Sequence, residues 1–172
     1  KRFIIKNNLQ NKIKLFGYTN NPFPFIQKAN IVVLTSKFEG LPNILLEAQF
    51  LRKYIISTNC PTGPKEILLN AKAGDLINIG DFKKLSHLIK NYSNNKNSII
   101  KKINTGHKKF YRFDYMLNCK KYLNFIDNKD NNFKVTVLQG VTGSGKTLVY
   151  FEKIKKLLKE DKQVLVLLPE IF

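Results

Sequence analysis

The sequence predicts an α/β protein: a doubly wound parallel sheet, followed by a separate strand–loop–helix–strand fragment. Two observations predict this class. Short, nearly continuous apolar runs alternate with segments of helical spacing, which is the pattern of strands buried on both faces of a parallel sheet. A wholly polar run at residues 127–132 (DNKDNN) then interrupts the alternation, and a new one follows it. We therefore predict a first domain at residues 1–126, a junction at 127–132 and a second unit at 133–172.

The local pattern predicts each element in turn. The strands of the first domain are predicted at Ile13–Phe16, Ile31–Thr35, Tyr54–Thr58 and Leu76–Ile79. Its helices are predicted at Pro24–Ala29, Asn43–Leu51, Lys65–Leu69, Phe82–Asn91, Ser98–Lys109 and Asp114–Phe125. After the junction, a strand is predicted at Phe133–Leu138, a helix at Lys146–Lys159 and a strand at Val164–Leu168. By itself this second unit is too small to bury a self-sufficient core.

The net charge of the chain does not by itself identify the class of its binding partner. The formal net charge is +18, which invites a nucleic-acid interpretation. Only Arg2, Arg52 and Arg112 are arginines among the 30 basic residues, however, and the joint excess of Lys, Asn, Ile and Phe is typical of A/T-rich coding. The charge therefore does not by itself predict nucleic-acid binding.

Two further features bear on the compartment. Cys60 and Cys119 stand far apart without a metal-binding or disulfide pattern, which favours a reducing cytoplasm. No apolar run approaches the roughly 18 residues that a membrane span needs, so we predict no transmembrane segment. Peripheral contact with a membrane stays open.

One candidate site lies between a predicted strand and a predicted helix, at residues 34–48. Gly40 permits close backbone approach, Pro42 is pre-set for a helix start, and the helix N-terminus favours a phosphate. Glu39 in the loop and Glu47 in the helix are carboxylates that can accept hydrogen bonds from the vicinal hydroxyls of a ribose or hexose. By spacing alone, an ordinary loop with two solvated glutamates is an equally good interpretation.

The run Ser36-Lys-Phe-Glu-Gly-Leu-Pro-Asn-Ile-Leu-Leu-Glu-Ala48 resembles the glutamate–seven–glutamate motif of the GT-B glycosyltransferases of group 1, or family 4. Neighbouring segments resemble the same family in order and distance: Ile13–Gly17, Pro24–Ala29, Ile55–Leu68, Gly74–Asp81 and Arg112–Asp114. The resemblance covers about residues 1–126. It implies that these residues form the Rossmann-like, donor-binding C-terminal half of such an enzyme.

The resemblance also implies roles for single residues. Glu39 would be the catalytic-site carboxylate at the donor sugar, Glu47 would bind the ribose, and Gly40 and Leu41 would offer backbone N–H groups. Gly17 and Tyr18 would border the nucleotide base.

The family further implies a UDP- or GDP-sugar donor, retention of anomeric configuration, no cofactor or metal, and a part in the synthesis of cell-surface polysaccharide or lipid glycan. Arg2 and Lys6 do not lie in the family's "G-R-x…K-G" context, whose cations neutralise the leaving diphosphate. We therefore expect recognition of part of a nucleotide-sugar without transfer by these 172 residues alone.

A second candidate site is the run Gly140-Val-Thr-Gly-Ser-Gly-Lys-Thr147, which matches G-x-x-x-x-G-K-[ST] between a predicted strand and a predicted helix. Glycines let backbone N–H groups converge on the phosphates of ATP. Lys146 would reach the β- and γ-phosphates, and Thr147 would coordinate Mg²⁺. The predicted ATP-binding residues are Gly140, Thr142, Gly143, Ser144, Gly145, Lys146 and Thr147. The alternative is a glycine-rich turn before a helix.

The flanks Val137–Tyr150 and Lys162–Ile171 resemble the PriA-type replication-restart helicases, or primosomal protein N′. The resemblance implies ATP and Mg²⁺ as cofactors and makes DNA a possible partner, with Pro169 and Glu170 at the strand end that approaches single-stranded DNA. Leu148 stands where that family usually has Glu. The acid pair that completes the family's Mg²⁺ site is not found, so we expect neither ATP turnover nor unwinding.

Three hypotheses follow for the whole chain. Coverage favours a glycosyltransferase part with a helicase-type tail, and the purity of the phosphate-loop motif favours a helicase piece preceded by an unrelated segment. The third hypothesis is a non-catalytic nucleotide-binding fusion. A rearranged or frameshifted pair of genes is the alternative to a genuine fusion.

Overall fold

The computed structural model describes residues 1–127, 146–161 and 163–164. The predicted strand Phe133–Leu138 and residues 140–145 of the glycine-rich run lie outside these residues, as does nearly all of the predicted strand Val164–Leu168.

Three parallel strands form the sheet of the described chain. Strands β1 (Ile31–Leu34), β2 (Tyr54–Thr58) and β3 (Asp75–Ile77) lie side by side in that order. Ile31 pairs with Tyr54, and Ile56 pairs with Asp75. The apolar runs at 31–35, 54–58 and 76–79 thus predicted the three strands to within a few residues, and the predicted parallel sheet is confirmed.

The helices follow the order that the periodicity predicted. They are α1 (Arg2–Lys6), α2 (Phe23–Lys28), α3 (Asn43–Phe50), α4 (Pro64–Ile67), α5 (Phe82–Lys90), α6 (Lys96–Lys108), α7 (Tyr115–Asp127) and α8 (Lys146–Lys159), with a 3₁₀ turn at Phe110–Phe113 between α6 and α7. The short helix α1 was not predicted.

Helices cover both faces of the sheet, and the central strand β2 is therefore buried on both sides. Its successive side chains point to opposite faces, and all five of its residues are buried. Ile55 packs in an apolar cluster with residues of α2, α3 and α4. Tyr54 and Ile56 pack in a second cluster with Ile77 and with residues of α5 and α6. This arrangement confirms the doubly wound class.

The predicted strand Ile13–Phe16 is wrong. These residues form no strand, and Ile13, Leu15 and Phe16 are 41, 62 and 65 % exposed. An apolar run becomes a strand only where it gains both backbone pairing and burial of at least one face, and this segment has neither beside β1. Phe16 packs on Phe25 of α2 instead, with ring centroids 4.8 Å apart.

A polar network ties β2, β3 and α6 together. The Tyr54 hydroxyl donates to Asp75 Oδ2 at 2.5 Å, and Lys102 Nζ donates to the same oxygen at 2.6 Å. Desolvation by burial, assisted by the bond to the Asp75 carboxylate, raises the pKa of Tyr54 well above its usual value. Tyr54 therefore stays protonated in the folded protein at a pH where an unfolded tyrosine ionises.

This network predicts a pH dependence at the alkaline end. A raised pKa in the folded state means that the contribution of the Tyr54 hydroxyl is fully present below about pH 10 and is lost as the pH rises above it. In urea unfolding, we expect the free-energy gap between the native protein and Tyr54→Phe to shrink by roughly 1 kcal/mol between pH 9 and pH 11. A gap that stays constant over this range would contradict the shift. Because the two proteins differ only at position 54, the difference between their free energies of unfolding isolates the Tyr54 hydroxyl.

Candidate functional site

The loop that carries Glu39 connects β1 to α3 at the carboxyl edge of the sheet. Its first residues are held by Thr58, a buried residue at the end of β2, whose Oγ1 donates to the Ser36 carbonyl at 2.6 Å. In open parallel sheets, ligands bind beyond the carboxyl ends of the strands. The loop therefore starts from a fixed point at the edge where such a fold binds its ligands.

A second loop, Asn59–Gly63 after β2, closes on the first. The Thr62 hydroxyl donates to the backbone carbonyl of Glu39. Gly63 has φ +83°, and a Cβ on this residue would collide with the Gly40 carbonyl oxygen and lie 2.6 Å from Pro42 Cδ. Only glycine permits this approach, because both the positive φ and the close contact exclude a side chain. The Glu39 loop is thus clamped from the β2 side.

Helix α3 begins directly after the clamped loop. Pro42 occupies its N-cap position, none of the side chains that the structure describes caps it, and its first turn carries no acidic residue. The N-terminal N–H groups of a helix in this state can donate hydrogen bonds to an anion. Gln49, which is buried, donates from Nε2 to the Ile67 carbonyl at 2.9 Å and ties α3 to α4. The orientation of α3 relative to the second loop is therefore fixed at both ends.

Glu47 lies in α3, half-buried, and lines a cavity of about 230 Å³. Phe23, Asn43, Leu46, Phe50 and Phe110 form the rest of its lining. A carboxylate among aromatic side chains combines a hydrogen-bond acceptor with apolar walls. A ribose, which has hydroxyls on one edge, is compatible with such a lining.

The structure brings some of the predicted donor-site residues together and leaves others apart. Glu39, Gly40 and Leu41 lie on the clamped loop, and Leu41 packs against the apolar cluster around Ile55. Gly17, with φ +71°, and Tyr18, which is 92 % exposed, lie on the segment before α2. The contact between Phe16 and Phe25 joins this segment to α2. Helix α2 also carries Phe23, which lines the cavity of Glu47.

Two clefts beside the loops were not predicted from the sequence. A cleft of about 330 Å³ follows the carboxyl ends of all three strands, and its lining includes Thr35, Lys37, Thr58 and Gly80. A cleft of about 480 Å³ on the other loop is lined by Thr62, Gly63, Lys65, Glu66 and Arg112, among others. Arg112 also donates to the Glu66 and Ile67 carbonyls at 3.4–3.5 Å. Residues of the first cleft, such as Thr35 and Gly80, follow the ends of strands, and this position is the sequence signal that could have identified them.

The described residues of the second candidate site are few. Lys146 is the first residue of α8, and Thr147 is exposed on the first turn of that helix. Gly140, Thr142, Gly143, Ser144 and Gly145 lie outside the described residues. Within residues 1–127, 146–161 and 163–164, no group of three His, Cys, Asp or Glu side chains is placed to hold a metal ion. None of the helices in this part of the chain has the length and apolarity that crossing a membrane requires.

Comparison with known families gives two matches. Residues 1–109 match the family model of the glycosyl transferases of group 1, and residues 86–171 match that of the type III restriction enzyme res subunit. Residues 86–109 fall in both. All of α6 lies in this overlap, and its Ile99 packs with Tyr54 and Ile56 of β2, so packing assigns the shared residues to the sheet of the first match.

Individual relatives divide in the same way. The chain is 51 % identical over 65 residues to an uncharacterized glycosyltransferase of Methanocaldococcus jannaschii, covering 38 % of this chain and 16 % of that protein. It is 33 % identical over 89 residues to the lipopolysaccharide 1,6-galactosyltransferase of Escherichia coli, covering 49 % and 25 %. It is 58 % identical over 41 residues to the replication restart protein PriA of Haemophilus influenzae, covering 24 % and 6 %. The chain thus spans a quarter or less of each relative.

Among solved structures, the crystal structure of Anabaena HepE in complex with UDP superposes with a TM-score of 0.66 at 16 % sequence identity. The superposition covers 74 % of this chain and 35 % of that one. At 16 % sequence identity, this superposition shows a similarity of fold alone.

Proposed function

Because this chain belongs to the glycosyl transferases of group 1, joined to a segment of the PriA type, we propose that its first part binds a nucleotide-diphospho-sugar for glycosyl transfer. The observation that carries the proposal is the clamped loop: Glu39 and Gly40 are held by Thr62 and Gly63 directly before the uncapped N-terminus of α3, which also carries Glu47. Two carboxylates and an anion-binding helix end are the groups that a sugar, a diphosphate and a ribose require.

Each part of the donor has a proposed partner. The Glu47 carboxylate accepts hydrogen bonds from the ribose hydroxyls, and the Glu39 carboxylate accepts them from the hydroxyls of the donor sugar. The N–H groups of Gly40 and Leu41, with those of the first turn of α3, bind the diphosphate. Gly17 and Tyr18 border the base once the exposed segment before α2 folds over it. In the transfer, the bond between the anomeric carbon and the diphosphate oxygen breaks and the nucleoside diphosphate leaves. The oxygen of an acceptor hydroxyl bonds to the anomeric carbon with retained configuration, and its proton passes to the departing diphosphate.

The acceptor and the compartment belong to the same proposal. The name of the Escherichia coli relative refers to lipopolysaccharide, which supports a cell-surface polysaccharide or lipid glycan as the acceptor. The two cysteines, Cys60 and Cys119, are buried free thiols, and a cytoplasmic location stays a prediction. We expect residues 1–172 alone to bind the donor without completing the transfer.

The PriA-type segment supports a second proposed activity, ATP binding. Gly140–Thr147 matches the phosphate-loop pattern, and the similarity to PriA of Haemophilus influenzae favours ATP with Mg²⁺ over a bare anion. Lys146 is assigned to the β- and γ-phosphates and Thr147 to Mg²⁺. DNA is the corresponding macromolecular partner. If neither nucleotide is turned over, the chain is a nucleotide-binding fusion without catalysis.

Thermal unfolding with a panel of nucleotides tests both proposals. At a hundredfold excess over Kd, a ligand that binds only the folded state stabilises it by about 2.7 kcal/mol. For a chain of this size that raises the unfolding midpoint by roughly 5–10 °C. We expect a rise of this order with UDP or GDP and, separately, with ATP and Mg²⁺.

Lys146→Ala is the matched control for the panel, since it should remove the response to ATP and leave the response to UDP or GDP unchanged. If neither UDP nor GDP shifts the midpoint, the donor-binding proposal fails. If Lys146→Ala keeps the full ATP response, the phosphate-loop proposal fails.

A further inference from the structure

Helices α7 and α8 pack against each other. Each of them carries a buried apolar residue: Cys119 of α7 is 6 % exposed and Val149 of α8 is 1 % exposed. Neither belongs to the two apolar clusters that surround the sheet. The contact between α7 and α8 joins the glycosyltransferase-type part to the segment after the glycine-rich run.

The side chains of α8 differ in burial from one side of the helix to the other. The buried and half-buried residues of the helix lie on one side and form a buried stripe: Val149, Lys153, Ile154 and Leu157. Phe151 and Leu158 are 61 and 57 % exposed and lie off this stripe. The helix thus buries the side that carries Val149, although larger apolar side chains stand on the other sides. The choice of face follows from the partner and not from apolarity alone.

We propose that α8 is an intramolecular partner of α7: the PriA-type helix serves as a structural element of the glycosyltransferase-type part and covers Cys119. In a strand–loop–helix unit, the helix normally covers its own strands with its apolar stripe. One stripe cannot cover two surfaces at once, so docking on α7 and packing into a complete ATPase sheet exclude each other. Thr147 is exposed in the docked helix, so docking leaves this residue accessible.

The rate at which a thiol reagent labels Cys119 measures the docking, and Cys60, which is 1 % exposed in the core, is the internal reference for global unfolding. In the full chain, Val149→Asp places a charge on the buried stripe, and we expect Cys119 to react at least tenfold faster while Cys60 stays protected. Phe151→Asp is the matched control on the exposed side of the same helix. It should leave both rates within twofold of the native protein.

Val149→Ala keeps the test decisive where Val149→Asp unfolds the whole chain, which labelling of Cys60 would reveal. We expect Val149→Ala to raise the Cys119 rate roughly threefold and leave the Cys60 rate unchanged. The proposal is overturned if both Val149 variants label Cys119 no faster than Phe151→Asp does. It is also overturned if, in Val149→Ala, the two cysteines become reactive in parallel.

Discussion

Replacing Gly63 by alanine is expected to lower the midpoint of thermal unfolding by roughly 6–12 °C. Two costs combine. A non-glycine residue at φ +83° is strained by about 1–2 kcal/mol, and a Cβ at this position collides with the Gly40 carbonyl and with Pro42. Forcing an extra carbon into a packed contact costs about 1–3 kcal/mol more. The total is about 3 kcal/mol, measured by calorimetry or urea unfolding.

Gly80→Ala is the matched control because Gly80 has nearly the same backbone angle, φ +82°, with no atom within 4 Å of a built Cβ. Its substitution carries the backbone strain alone, and the effect of alanine on the unfolded chain is the same in both variants. We expect a shift of roughly 3–6 °C. Equal shifts for the two variants would show that the contact between the two loops contributes nothing to stability.

The Gly63 substitution also bears on the site itself. The collision is with Gly40 and Pro42, the residues on either side of Leu41, so relief of the clash has to move the loop that carries Glu39. A variant that remains folded should therefore bind a diphosphate-containing donor more weakly even at temperatures well below its midpoint. The Gly80 variant should not. The loop clamp thus links a stability measurement to a binding measurement in one pair of proteins.

Gly63 illustrates why part of the site could not be predicted from the sequence. Glu39, Glu47 and the start of α3 follow from a local pattern, in which a strand, a loop with Gly40 and Pro42 and a helix come in succession. The clamp instead depends on Gly63 and Thr62, which are more than twenty residues away from the loop that they contact. A glycine in a turn is ordinary in a sequence. Its necessity appears only when a second backbone lies where its Cβ would be.

The same distinction explains the outcome for the strands. Tyr54–Thr58 was predicted with its observed bounds because a strand buried on both faces needs apolar residues at nearly every position. Ile13–Phe16 has a similar composition, but its fate depends on whether another surface covers it, and its side chains stay exposed. Gln49 shows the opposite case. It is a polar residue in the middle of a predicted helix, and only the structure reveals that its side chain is buried and bonded to α4.

Conservative substitution of the two glutamates should divide donor recognition into separate steps. We expect Glu47→Gln to weaken binding of the free nucleoside diphosphate at least tenfold, because a neutral amide replaces a carboxylate whose hydrogen bonds to hydroxyls are worth about 1.5–3 kcal/mol. Titration calorimetry with UDP or GDP, whichever stabilises the native protein, measures this loss. Glutamine has nearly the volume of glutamate, so the cavity lined by Phe23, Phe50 and Phe110 keeps its shape.

Glu39→Gln should behave differently, since its carboxylate is assigned to the sugar and not to the nucleotide. Its affinity for the free nucleoside diphosphate should stay within twofold of the native value, while the additional affinity that the native protein has for the sugar-bearing donor is lost. If Glu39→Gln weakens binding of the free diphosphate as much as Glu47→Gln does, then the two carboxylates do not bind separate parts of the ligand. The alternative of two solvated glutamates predicts no change for either variant. Titration with the free nucleoside diphosphate already distinguishes these three outcomes. Titration with the sugar-bearing donor then tests whether Glu39 contacts the sugar.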